Sequence, residues 1–175
     1  MIVGCLLMSC DSIDIKCPSC GDLAKFEEPF VFKDPKRIPD NIQHKSWGGC
    51  GVIERFPSDF KWVAPSGSSQ FLRGGGDNGQ GGYPLLTYGL VQCGGCHQNK
   101  KHKLNWPSDS YWQWSIKGEI LWAWDLQHAK QILAYIEADI RPSRKCYSLK
   151  YIPTHFLTSK VKLSVIKQMA RSLNT

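Results

Sequence analysis

At 175 residues, with 42% hydrophobic residues and seven tryptophans, the chain is long enough to bury a real core and too apolar to stay disordered. Its formal net charge of +7 is unevenly placed: residues 1–96 carry 9 Lys+Arg against 10 Asp+Glu, and residues 97–175 carry 13 against 5, giving −1 and +8. No apolar run approaches the length of a bilayer-crossing helix, and the basic second half argues for an anionic partner, nucleic acid first, against the blander reading of a solubilising surface.

Along the chain, Leu7-Met8-Ser9-Cys10 looks like a lipobox, yet no Lys or Arg precedes the apolar run and that run is shorter than a signal core. A cytoplasmic protein is expected, with Met8 as an alternative start. The next feature is Cys17-Pro18-Ser19-Cys20, followed by Gly21, which can take positive φ and let backbone N–H groups face the sulfurs. Phe30, Val31 and Phe32 suggest a short strand, and two more are expected around Gly51–Phe56 and Phe60–Ala64. Residues 66–82 hold seven glycines and little apolar content, so they read as a loop; without a Gly-Lys-Ser/Thr ending or a following helix, a phosphate cradle is not favoured.

Leu85–Gln92 reads as a strand delivering the second pair, Cys93-Gly94-Gly95-Cys96, in which His97 stands where Gly21 stands in the first. Lys100, Lys101, His102 and Lys103 then look like donors on a projecting loop. Tyr111–Ile116 and Glu119–Trp124, joined by Lys117-Gly118, predict a β-hairpin. Trp112, Trp114 and Ile116 share one face of the first strand and Ile120, Trp122 and Trp124 one face of the second. These rows read as core beneath a covering helix in preference to a platform for unpaired bases.

Asp125 is a good N-cap for a helix carrying Ala129, Ile132, Leu133, Ile136 and Ile140 before Pro142. A second helix is expected from Thr158 or Ser159 to about Leu173, with Val161, Val165, Ile166, Met169, Ala170 and Leu173 on its apolar side. Lys160, Lys167 and Arg171 fall in a narrow arc opposite, because steps of seven and four residues return nearly to one azimuth. With Lys100, Lys101, Lys103, Arg141 and Arg144 they are the candidate phosphate contacts, and no base-reading motif accompanies them.

Two Cys-x-x-Cys turns supply what one tetrahedral zinc ion needs, so Cys17, Cys20, Cys93 and Cys96 are the candidate ligands of one structural Zn²⁺. Closing the long intervening loop costs about 4 kcal/mol, against roughly 10 to 16 kcal/mol for structural zinc. Disulfides or free dithiols are the alternatives; a thioredoxin-type pair would precede a helix, and neither pair does. The two turns and their flanking strands resemble the zinc-ribbon, rubredoxin-like family, and Leu121–Trp124 with Leu149–Leu173 looks like an arrangement in uncharacterised bacterial zinc-ribbon proteins. The resemblance implies four-thiolate structural zinc and no defined activity.

The expected architecture is α+β: a small antiparallel sheet with a four-cysteine zinc ribbon, a tryptophan-rich hairpin and two C-terminal helices. Two regions are expected, 13–105 with the Gly-rich insertion and 106–175 with the hairpin and helices. The expected function is nucleic-acid binding or regulation without catalysis. The alternatives are a protein-interaction adaptor, or a hydrolase or nuclease using Cys50 on its glycine-rich turn with His44, or the acidic Glu119, Asp125 and Glu137; for these the histidine and carboxylate spacings specify nothing.

Overall fold

A computed structural model describes residues 12–64, 88–138, 140, 149 and 152–173. The glycine-rich stretch 66–82 and the candidate contacts Arg141 and Arg144 lie outside the described residues. The fold is α+β, with small antiparallel sheets and two helices. Among the described residues nine strands precede the helices: β1 Ile13–Lys16, β2 Leu23–Glu27, β3 Phe30–Lys33, β4 Lys45–Trp47, β5 Cys50–Glu54, β6 Tyr88–Cys93, β7 Asn99–Lys103, β8 Gln113–Ile116 and β9 Glu119–Trp122. The helices are α1, Leu126–Glu137, and α2, Ser159–Leu173.

The chain divides into two compact units, and the division is not a simple cut in sequence. One unit takes the described residues up to Lys25, then Cys93–His97, then everything described from Trp106 onward; the other takes Phe26–Gln92 and Gln98–Asn105. Residues 13–25 and 93–97 therefore group with the C-terminal hairpin and helices, not with the rest of 13–105.

In the first unit β8 and β9 pair antiparallel, with Trp114 opposite Leu121 and Ile116 opposite Glu119 across the Lys117-Gly118 turn. Both turn residues have positive φ, 53° and 86°, as a two-residue hairpin of this twist requires. Asp125 caps α1 by accepting from the His128 N–H at 2.7 Å. The core lies between this hairpin and the helices: Trp114, Ile116 and Leu121 pack with Ile132 and Ile136 of α1, Phe156, and Val161, Val165 and Met169 of α2. Ile136, Phe156, Val165 and Met169 are wholly inaccessible, and burying each contributes roughly 1.5 to 3 kcal/mol.

Three local expectations need correction. Along residues 119–124 the core face belongs to Leu121 and Ala123, while Ile120 is 46% exposed. Trp122 and Trp124 instead form a separate cluster with Trp106, which stacks on Trp124 at 4.5 Å and meets Trp122 edge-on at 5.0 Å. The helix α1 stops at Glu137, and Ile140, expected on its apolar side, is 92% exposed. The chain leaves helical backbone at Ala138, whose ψ is 132°.

In the second unit β3, β5 and β4 form an antiparallel sheet in that order, and Phe30, Trp47, Val52 and Trp62 make its core. Trp62 packs edge-on against Phe30, Phe32 and Trp47 at 5.2, 5.2 and 5.5 Å. Glu54 accepts from Lys45 Nζ at 2.7 Å and from the Trp62 N–H at 2.6 Å, which hold its carboxyl below the usual range. This is how Phe60–Ala64 is attached, since it forms no strand. Gly48 and Gly49, both at positive φ, make the tight turn between Trp47 and Cys50, so hairpin geometry accounts for the glycines around that cysteine.

Candidate metal centre

Each pair of cysteines sits where a strand ends in a tight turn. The chain leaves β1 at Cys17, whose N–H donates to the Asp22 carbonyl at 2.7 Å and whose carbonyl accepts from the Gly21 N–H at 2.9 Å. Gly21 has φ +81°, a conformation that side chains resist. The second turn leaves β6 at Cys93 and ends at His97, whose φ of 57° matches the role of Gly21 with a residue that tolerates left-handed backbone better than most. A Cβ on Gly95 would come within 2.5 Å of the Asp22 carboxylate, which would have to swing aside.

These turns bring the sulfurs of Cys17, Cys20, Cys93 and Cys96 within 4.8 Å of one another. Cys17 Sγ lies 3.7 Å from Cys96 Sγ, and Cys20 Sγ lies 3.6 Å from Cys93 Sγ. A disulfide would need about 2.05 Å, so none of the four is bonded to another. A tetrahedral ion with metal–sulfur bonds of about 2.3 Å separates its sulfurs by about 3.8 Å. The spacing fits, and these four residues can hold a metal ion. All four belong to the first unit.

Electrostatics explains why such a cluster wants a cation. Backbone N–H groups of Cys20 and Ser19, the latter at 3.4 Å, bring Cys17 down to about 6. The N–H of Asp22 acts the same way on Cys20, but partial desolvation by the surrounding turns and the neighbouring sulfurs of Cys93, Cys17 and Cys96 outweigh it and push that thiol up to about 12. One thiolate thus forms readily and a neighbour then resists, because like charges a few ångströms apart oppose one another. A divalent ion among them removes that opposition. Cys17 and Cys93 are buried, Cys96 is half-buried and Cys20 is exposed.

No protein-family model, curated protein or solved structure matches this chain. The centre is therefore defined by its own geometry.

The other candidate residues are dispersed. Lys100, Lys101 and Lys103 lie on β7 and not on a projecting loop, paired against Val91, Leu90 and Tyr88 of β6. Strand alternation sends Lys101 and Lys103 to one face and Lys100 to the other. Lys101 also sits 5.1 Å above the Phe60 ring and 3.9 Å from Asp59. Lys160, Lys167 and Arg171 are all exposed on α2, opposite its buried Val161, Val165 and Met169. His44 Nδ1 lies 3.3 Å from the Ile42 carbonyl, and its ring packs over Gly51. Asp125 is occupied as the cap of α1.

One important residue gives little sequence signal. Asp14 is 2% exposed in β1, three residues before Cys17, and accepts from Lys25 Nζ, from Trp112 Nε1 at 2.8 Å and from the Leu126 N–H at 3.2 Å. It joins the strand that presents the first cysteine to the hairpin and to the N-terminus of α1.

Proposed function

We propose that the chain is a zinc-stabilised nucleic-acid-binding protein in which Cys17, Cys20, Cys93 and Cys96 hold one structural Zn²⁺ and the basic second half meets the phosphates. Four thiolates at tetrahedral spacing suit zinc by softness and geometry. They also fill its coordination sphere, leaving it to hold the two turns together. The observation that carries the binding reading is the exposed arc of Lys160, Lys167 and Arg171 on a helix whose other side is sunk in the core. Cations on a rigid helix face gain affinity by releasing condensed counterions from a polyphosphate.

Metal analysis of the purified full chain should find one zinc per molecule. Three phosphate contacts predict that duplex affinity falls about 40-fold between 50 and 200 mM salt, and replacing all three cations by alanine should flatten that slope by roughly 2.7. Affinity that stays constant across that range refutes the reading. A second reading, docking on an acidic protein, is favoured by Leu163, which is 75% exposed and borders the same arc. Strong salt dependence with an acidic polypeptide and none with nucleic acid would select it.

A further inference from the structure

The four sulfurs are not equally sheltered. Cys17 is 4% and Cys93 5% exposed, whereas Cys20 is open to solvent. Metal-bound thiolates remain nucleophiles, and a small oxidant reacts first with the one it can reach. Behind Cys20 lies a sheltered second sulfur, Cys93, at 3.6 Å, and closing that pair to a disulfide requires the sulfurs to approach by about 1.6 Å. No backbone atom crowds the Cβ side of Gly21 or of Gly94, the glycines next to Cys20 and Cys93.

We infer that Cys20 makes the metal centre an oxidant-responsive switch, in which Cys20 attacks a hydroperoxide, a Cys20–Cys93 disulfide closes, and the zinc is expelled. This rests on the reading that the four cysteines hold zinc. In the first step the Cys20 thiolate attacks one peroxide oxygen; the S–O bond forms, the O–O bond breaks, and the departing hydroxide takes a proton to become water. In the second the Cys93 thiolate attacks the Cys20 sulfur; the S–S bond forms, the S–O bond breaks, and a second hydroxide leaves as water after taking a proton. Two thiolates lose two electrons and hydrogen peroxide gains them. Only Cys17 and Cys96 then remain as ligands, too few to keep a structural zinc ion. Their sulfurs, 3.7 Å apart, form the next pair available to further oxidant. Both linkages run between the two turns, so the oxidised chain stays tied where the ion had tied it. Thiol reductant and zinc then restore the starting state.

The test uses the full, reduced, zinc-loaded chain with hydrogen peroxide as the only oxidant. Zinc release is followed with a chromophoric chelator, and linkages are mapped by mass spectrometry of non-reduced peptides. The expected result is one equivalent of zinc released per chain, with Cys20–Cys93 as the first disulfide. Limited alkylation of the zinc-loaded protein, which needs no variant, should label Cys20 ahead of Cys17 and Cys93. Zinc retained through peroxide treatment, a first disulfide within either Cys-x-x-Cys turn, or earlier alkylation of a buried ligand overturns the inference while leaving the zinc reading standing. A reduced protein that carries no zinc overturns both.

Discussion

Replacing Asp14 tests whether the buried carboxylate holds the first turn to the rest of its unit. Truncation to alanine strips acceptors from Trp112 Nε1 at 2.8 Å and the Leu126 N–H at 3.2 Å, and both bonds are made to the same oxygen, Oδ2. Each donor left unsatisfied costs about 1 to 3 kcal/mol. The Lys25 partner is 50% exposed and can return to water, so its loss adds at most about 1 kcal/mol. The sum is roughly 2 to 7 kcal/mol for Asp14→Ala, about 4 to 28 °C in melting temperature at this chain length. Asparagine supplies one carbonyl oxygen where Oδ2 stood and keeps both bonds, so Asp14→Asn should cost only about 1 to 2 kcal/mol. Urea denaturation followed by tryptophan fluorescence, with zinc held constant, measures both variants. A loss below about 1 kcal/mol for alanine, or equal losses for both variants, refutes the argument that Oδ2 and its two donors carry the effect.

Three further outcomes follow from the metal centre. Cys93→Ser removes a buried ligand and should abolish stoichiometric zinc binding, and chelator treatment of the natural chain should lower its melting temperature, reversibly on zinc addition, by an amount that grows with free zinc; equal stability with and without zinc would contradict this. His97→Gly should stabilise by roughly 1 kcal/mol because it relieves positive φ, while Gly21→Ala should destabilise by about as much and Gly94→Ala, with open space around it, should be near neutral in denaturant titrations. In the metal-free protein Cys17, lowered from 9.0 to about 6, contributes stability above the unfolded value that is lost as pH falls through about 6. Cys20, raised to about 12, contributes below the unfolded value and loses that as pH rises through 12; it must give up its proton to a metal, so zinc affinity should rise with pH, and calorimetry in buffers of different ionisation enthalpy near pH 7 should detect at least one proton released per ion.

Much of the first unit is legible in the sequence because its signals are local. Lys117-Gly118 between two apolar runs, Asp125 before a helical period, and the spacing of Val161, Val165 and Met169 each specify an element without reference to distant residues. The metal cluster was legible for the same reason: a Cys-x-x-Cys turn carries its own geometry, and only the pairing of two turns 73 residues apart needed the fold. What was not legible depended on partners. Asn99–Lys103 contains no apolar residue, so nothing in it announces a strand; β6 supplies the pairing. Ile120, Leu121, Trp122, Ala123 and Trp124 are apolar without interruption, and a period of two cannot choose a face in such a run. Asp14 is one acidic residue in a short strand, and the Trp112 and Leu126 groups that give it meaning lie 98 and 112 residues away.

The separation of the two cysteine turns also orders events during synthesis. Translation at about 5 to 20 residues per second delivers Cys93 roughly 4 to 15 s after Cys20. For that interval the nascent chain carries an unmatched dithiol that nothing downstream can yet complete, and the first unit must wait for a five-residue visit, Cys93–His97, before its hairpin and helices have been made. On the zinc reading proposed above, the ion cannot be gripped by all four sulfurs until that point, and a shortage of zinc then would leave the longest-waiting sulfurs open to other metals and to oxidants.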